Sequence, residues 1–378
     1  MAKRRLDLAK VLIVLEVQTS FTVAGLSFFP VEFEGSPWDI GFKRGRLFRD
    51  ILASIREMYL PQYVGEKMLE HKRLTERTVK DMENLFPELV EELKGVAAGS
   101  GLDEEDIFMI NAWWENPVWP SRFPPNTGCS AVAFTESSLG PIMGQTLDIG
   151  RNPYWVMVHV KPRGGYSFFG TLRADMLGGA RCINEKGLSM GGGTVSVKDR
   201  GDGLPRPVVF RALMERCATV DEAIEFLREM KVSVKVGTNL LLLDASGNAA
   251  VVEKSPTKMA VRWQEDDGIC ATNHFLTEEM KHLNAGSAEM IERYSQPRIE
   301  RLKLFLREGD REKPITALKR VLRSHGLGGL CYHGDEWPWP TTTQLANILL
   351  SREREMYVSL PMGPPCMGHF IRYRPFSP

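Results

Sequence analysis

The chain has 378 residues, 43% of them hydrophobic and 25% charged, with 48 basic and 48 acidic side chains. That composition belongs to a globular protein of one large domain or two smaller ones. A net charge of zero argues against nucleic acid as the main partner. With no run of eighteen apolar residues, no membrane span is expected.

The first residues, "MAKRRLDLAKVLIVLEV", imitate a secretory leader, but Asp7, Lys10 and Glu16 place charge where such a leader is apolar. A cytoplasmic protein is therefore expected, with secretion the minority alternative, and residues 1–30 form an N-terminal extension without an assigned role. Residues 31–128 read as a mainly helical segment. "LFRDILASIREMYL" and "VKDMENLFPELVEELKGVAAGSG" repeat apolar positions at three- and four-residue spacing. "GLDEEDIFMINAWWE" opens on the acidic first turn that a helix N-terminus favours. The proline-rich "NPVWPSRFPPNTG" is a linker.

From Cys129 to the C-terminus the texture is different. "CSAVAFTE", "PIMGQTLD", "YWVMVHVKP" and "YSFFGTL" are strands divided by glycine and proline turns. "PVVFRALMERCA" and "VDEAIEFLREM" are helices, and "TNLLLLDASGNAAVVEKS" is a hairpin around "DASGN". "MAVRW" is another strand, "RIERLKLFLRE" and "PITALKRVLRS" are helices, and "TTTQLANILLSREREMYVSL" closes as a hairpin. Strands in blocks followed by helices in blocks give an α+β class of packed layers, not a doubly wound parallel sheet.

Several chemistries lack their signature. The six cysteines, at 129, 182, 217, 270, 331 and 366, contain no CxxC pair and make no disulfide framework. "GLGGLCYHG" and "LSMGGGTVS" match neither phosphate-cradling pattern. The seven histidines form no HxxxH or HExxH, so each reads as a structural residue and no metal is expected. A metallohydrolase built on His325, His333 and Asp335 is the minor alternative. No GxSxG nucleophile elbow is present.

What remains is Gly128-Cys129, a thiol at the first residue of a strand behind a glycine. A thiol needs a base, and no histidine lies near it in sequence. Cleavage before Cys129 would free an α-amine whose reference pKa is about 8, so that one residue carries both nucleophile and base. Glycine at 128 permits a strained backbone and leaves its carbonyl open to the thiol. Asp148 ends the next strand, and an antiparallel pairing would return it beside the start of the first. Asn273, in "ICATNHF", offers an amide donor for an oxyanion. The plain readings are a turn residue for Asp148, a cap for Asn273 and a small core residue for Cys129.

The pieces "VEFEGSPWDIGFKRG", "NTGCSAVAF", "MGQTLD", "CINEKGLSMGGGTVS", "NLLLLDASGNAAVVE", "ATNHF", "YSQPRIERLKLFL", "CYHGD" and "MGPPCMGHFIRY" follow one another over roughly residues 31 to 376. In that order the chain resembles the isopenicillin-N acyltransferase group of N-terminal nucleophile hydrolases, relatives of choloylglycine hydrolase. The resemblance implies a four-layer αββα sandwich and self-cleavage between Gly128 and Cys129 into two chains, 1–128 and 129–378, that remain together. It implies Cys129 as nucleophile, Asp148 as partner of its amine and Asn273 as oxyanion donor, with Arg298 and Ser295 in a supporting motif. Thr194 and Gln145 stand where bile-salt hydrolases hold an asparagine and an arginine, which moves the expectation towards the acyltransferase side.

The expected function is a self-processing cysteine amidohydrolase or acyltransferase acting on a small-molecule linear amide or acyl thioester, without metal or organic cofactor. Self-association is left open. A non-catalytic binding protein that keeps the fold is the alternative. "NAWWENPVWPSRF" is compatible with an apolar acyl pocket and equally with aromatic core packing.

Overall fold

The computed structural model describes residues 29–112, 128–150, 154–266, 268–286, 290–333 and 341–376. The extension over 1–30 apart from its last two residues, residues 113–127 with Trp113, Trp114 and Trp119 and all of the linker but Gly128, and Asp335 lie outside them.

The helical segment is preceded by a short strand that the sequence reading did not single out. Strand β1 (Val31–Gly35) runs into Ser36, which caps helix α1 (Pro37–Leu47). Ser36 Oγ accepts the Asp39 N–H at 3.2 Å, and Asp39 Oδ2 accepts the Ser36 N–H at 3.0 Å. This reciprocal pair satisfies two amides that a helix start leaves open. Helices α2 (Arg49–Tyr59), α3 (Glu66–Leu85), α4 (Pro87–Ser100) and α5 (Glu104–Ala112) follow. The continuous pattern through "NLFPELV" divides between α3 and α4 because Pro87 can begin a helix but not continue one.

Two sheets come next. The first has eight strands in the order β1, β4 (Trp155–Pro162), β5 (Phe168–Arg173), β6 (Cys182–Asn184), β7 (Ser189–Ser196), β8 (Val236–Leu243), β9 (Ala249–Lys254) and β10 (Met259–Trp263). Strand β1 pairs parallel with β4, and the remaining pairs are antiparallel. The second has six strands in the order β11 (Gly268–Ala271), β2 (Gly128–Phe134), β3 (Ile142–Gly150), β12 (Thr341–Leu350), β13 (Glu355–Leu360) and β14 (His369–Tyr373). Helices α6 (Arg206–Arg216) and α7 (Val220–Glu229) lie between β7 and β8 in the chain, and α9 (Gln296–Glu308) and α10 (Pro314–Leu322) follow β11 and the short helix α8 (Glu278–Lys281).

Alternation along the strands builds the layers. Ala131, Ala133 and Met143 point from the six-stranded sheet to Met157, Phe169, Leu241 and Val251 of the eight-stranded one. Their neighbours Val132, Phe134 and Ile142 face the other way, onto Ile299, Leu302, Leu318 and Leu322 of α9 and α10. On the far side, Val158, Val160, Leu240 and Leu242 pack under Ile40, Leu89, Leu93, Val209 and Leu213. Helices, sheet, sheet, helices: the fold is an α+β four-layer αββα sandwich.

"LSMGGGTVS", which matched no glycine-rich motif, is strand β7 in the middle of the larger sheet. Three glycines hide it from a β-propensity reading. Their purpose is close approach. A Cβ on Gly193 would sit 2.9 Å from Asn273 Nδ2 and 3.0 Å from Cys129 Cβ.

Candidate active site

Pairing of β2 with β3 sets the site. Cys129 is the second residue of β2, not its first, and β3 runs two residues past Asp148. Gly128 stands opposite Asp148 and Cys129 opposite Leu147, so the start of β2 lies beside the carboxylate near the end of β3. Cys129 is 3% exposed and Asp148 fully buried.

Around Cys129 three groups converge. Its backbone N–H donates to Asn273 Oδ1 at 2.8 Å. Its Sγ accepts from Arg181 Nη2 at 3.3 Å, and the Thr194 N–H also favours a thiolate there. Burial nevertheless dominates and pushes the thiol above its ordinary pKa, helped by the nearby Asp148 charge and opposed by Arg181 and Arg298. No histidine is hydrogen-bonded to Cys129 among the described residues. His274, next to the oxyanion candidate, turns its Nδ1 to Ser295 Oγ at 2.6 Å instead.

Asn273 is held from several sides. Its N–H donates to Ser295 Oγ at 2.9 Å, and its Nδ2 donates to the Thr194 carbonyl at 2.8 Å. An amide Nδ2 carries two hydrogens, so one remains for a ligand beside the thiol. Asn239 of β8 anchors the same loop by donating to the carbonyls of Thr272 and His274, at 2.9 and 2.7 Å.

Asp148 is a charged hub. Its Oδ2 accepts from both Tyr294 Oη and Arg298 Nη1, and its Oδ1 accepts from Thr343 Oγ1 at 2.5 Å. The Arg298 guanidinium also lies 4.0 Å above the Tyr294 ring centroid. Burial works against the Arg298 charge, but Asp148 and Tyr294 outweigh it and hold its pKa above the usual value. Burial drives the Tyr294 hydroxyl well above its ordinary pKa, so it stays a proton donor to the carboxylate. Two backbone irregularities aim these groups. Tyr294 lies in a π-helical turn (Ile291–Ser295) that leads into α9, and Thr343 borders a bulge in β12.

The expected site residues thus divide. Cys129, Asn273, Ser295 and the main chain of Thr194 form one connected cluster, and Asp148 with Arg298 forms a second beneath Gly128. The Thr194 hydroxyl turns away and accepts from Arg206 Nη1 at 3.0 Å. Gln145 reaches across the sheets to the Met190 carbonyl at 3.5 Å and makes no hydrogen bond to the thiol, Asp148 or Asn273. The backbone nitrogen of Cys129 has Asn273, not Asp148, as its side-chain partner.

His325 and His333, read as separate structural histidines, are brought together. Their ligand atoms cluster with those of Cys331 and Cys366, the group among the described residues able to hold a metal ion.

A model of the family described as acyl-coenzyme A:6-aminopenicillanic acid acyl-transferase matches residues 135–334, more than half of the chain. The chain belongs to that family. The matched segment carries Asp148, Arg181, Asn273, Tyr294 and Arg298 and begins just after Cys129. Beta-alanyl-dopamine/carcinine hydrolase of Drosophila melanogaster is 26% identical over 222 residues, covering 52% of this chain and 56% of that protein. This member of the acyl-transferase family therefore spans little more than half the length of that relative. Penicillin V acylase from Agrobacterium tumefaciens is similar in structure, with a TM-score of 0.43, 14% identity, and coverage of 62% of this chain and 84% of that one. A variant of conjugated bile acid hydrolase from Clostridium perfringens gives 0.45, 10%, 65% and 97%.

Sequence reasoning passed over four residues that surround Cys129 and Asp148 or hold their neighbours: Arg181, Tyr294, Thr343 and Asn239. Tyr294 and Arg298 stand four apart, the spacing that puts two side chains on one helical face, and that signal was available. Arg181 and Thr343 reach the site through tertiary pairing alone, and nothing in their local sequence marks them.

Proposed function

We propose that the chain is a self-processing cysteine amidohydrolase or acyltransferase whose nucleophile is Cys129 and whose base is the α-amine freed by cleavage after Gly128. The observation that carries this reading is the meeting at Cys129 of Asn273, Arg181 and the Gly128–Asp148 strand pair, with no histidine bonded to the thiol.

In the precursor, Sγ of Cys129 attacks the Gly128 carbonyl carbon. The thioester that forms releases the Cys129 nitrogen, and water hydrolyses it to a Gly128 carboxylate and a free thiol. A side chain at residue 128 has no room here, because its Cβ would fall 1.8 Å from the Tyr294 hydroxyl oxygen. The mature amine then inherits the place of the amide nitrogen beside Asn273 Oδ1. It takes the thiol proton as sulfur attacks the substrate carbonyl and returns it to the leaving nitrogen, the two roles of a general acid–base group. Arg181 favours the anionic sulfur. The spare Asn273 Nδ2 hydrogen and the Thr194 N–H are the donors closest to where the oxyanion forms. Asp148, paired with Arg298 and oriented by Tyr294 and Thr343, fixes the strand end that carries the amine.

The substrate class is a small linear acyl amide or acyl thioester, with water or an amine as acceptor of the acyl group. Incubation of processed enzyme with an acyl thioester at low temperature, followed by acid quench and peptide mass analysis, tests the chemistry. The acyl mass is expected on the peptide that begins at Cys129. An acyl adduct on any other residue, or turnover that persists in a processed enzyme with its thiol alkylated, would refute the assignment.

A further inference from the structure

Three chain segments bring two imidazoles and two thiols to a single point. His325 follows α10, Cys331 and His333 lie nine and eleven residues beyond that helix's last residue, Leu322, and before β12, and Cys366 sits in the turn before β14. The loop from His325 is closed by the Cys331 N–H donating to the Ser324 carbonyl at 2.9 Å and the Gly329 N–H donating to the Gly326 carbonyl at 2.8 Å. Arg323 ties the third segment in, donating to the carbonyls of Pro365 at 2.9 Å and Gly368 at 2.8 Å.

The distances select a cation over a hydrogen-bonded cluster. His333 Nε2 lies 3.2 Å from His325 Nε2, 3.5 Å from Cys331 Sγ and 3.2 Å from Cys366 Sγ. One ring nitrogen carries either one hydrogen or one lone pair and satisfies one such partner, not three. A tetrahedron with Zn–N near 2.05 Å and Zn–S near 2.3 Å has N–N edges of about 3.3 Å and N–S edges of about 3.6 Å. All four ligand atoms lie within 4.8 Å of one another. Two soft sulfurs with two imidazoles suit zinc above magnesium or calcium, which take oxygen.

We propose that His325, Cys331, His333 and Cys366 bind one zinc ion in a closed tetrahedral site that pins the C-terminal turn to the segment between α10 and β12. Four protein ligands leave no position for water or substrate, so the ion is structural. What it steadies is the floor of the catalytic site. The Tyr332 N–H donates to Thr343 Oγ1 at 2.8 Å, and the Thr343 N–H donates to the Tyr332 carbonyl at 2.9 Å. Thr343 holds Asp148, and the Tyr332 ring meets the Tyr294 ring edge-on at 5.8 Å.

The test uses the full-length chain purified without chelator. Elemental analysis is expected to give about one zinc per chain. After chelation, titration with cobalt(II) is expected to give saturable thiolate-to-cobalt charge-transfer absorption together with the strong visible bands of a tetrahedral ion. His325 and Cys366 are exposed and the Arg323 bonds persist without them, so His325→Ala and Cys366→Ser are expected to fold. Each is expected to weaken zinc by more than the roughly 100-fold that outer-shell changes cost. Metal-free protein whose cobalt titration lacks charge-transfer absorption would overturn the proposal. So would a Cys331–Cys366 disulfide in freshly isolated metal-free protein, or zinc affinity unchanged in both variants.

Discussion

Asn273 Oδ1 accepts the backbone N–H of Cys129 at 2.8 Å, which ties the loop after β11 to the second residue of β2 across 144 positions of sequence. The bond places a neutral amide, not a carboxylate, against the nitrogen that cleavage would turn into the catalytic base. Asn273→Ala removes that contact and the spare Nδ2 donor together. Turnover of a chromogenic acyl amide by processed enzyme is expected to fall by roughly 10² or more, the scale for losing one oxyanion donor. Unchanged turnover would make Asn273 a structural residue.

Arg181 stands against the sulfur at 3.3 Å, where its charge opposes the upward push of burial on the thiol. Arg181→Met removes that opposition, so the thiol rises further and a smaller fraction is thiolate at neutral pH. Processing at pH 7 is expected to slow about tenfold for each unit of further rise. The rising, acid-side limb of the rate profile should move to higher pH, and higher pH should restore part of the rate. A profile that drops uniformly without moving would assign Arg181 to packing instead.

Asp148 and Arg298 form a buried ion pair with both side chains almost wholly shielded from solvent. Arg298→Met leaves a buried carboxylate without its countercharge and is expected to cost about 3–5 kcal/mol of stability. Adding Asp148→Asn removes the orphaned charge, so the double variant is expected to recover part of that loss. Denaturant midpoints of the two singles and the double measure the coupling, and simple additivity would contradict it.

His71 is buried against the Tyr63 ring, with centroids 4.3 Å apart, and burial lowers its pKa to about 4. A depressed histidine binds fewer protons folded than unfolded between about pH 6.5 and 4. Its contribution to stability is therefore complete above pH 6.5 and is lost as pH falls through that window. Melting temperatures for wild type and His71→Phe are expected to diverge less at pH 7 than at pH 4.5, where the wild type alone has lost this term. Parallel curves across the window would remove His71 from the acid response.

The layers were legible wherever side chains alternate. "CSAVAF" and "IMGQTLD" carry the period of a buried strand pair, and from that pairing Asp148 is expected beside the start of the first strand; it stands opposite Gly128, one residue before Cys129. Strand β7 was not legible, because it was stripped of side chains to admit Asn273 and Cys129, and a glycine run has no β signature. Strand β1 is too short for a pattern and gains its place from its parallel partner β4. Tyr294, Thr343 and Arg181 meet their targets through a π-turn, a bulge and a neighbouring strand end, none of which local sequence encodes. Cys331 and Cys366 are remote in sequence, so the cysteine–histidine cluster exists only in the folded chain.

The central claim is that Gly128-Cys129 is cut by the chain itself and that Cys129 does the cutting. Intact-mass measurement of wild type and Cys129→Ala, each expressed and purified identically and then incubated, addresses it most directly. Wild type is expected to give two polypeptides that divide between Gly128 and Cys129, and Cys129→Ala a single chain. A wild type that remains one chain while turning over acyl amides, or a Cys129→Ala variant cut at the same bond, would contradict the account.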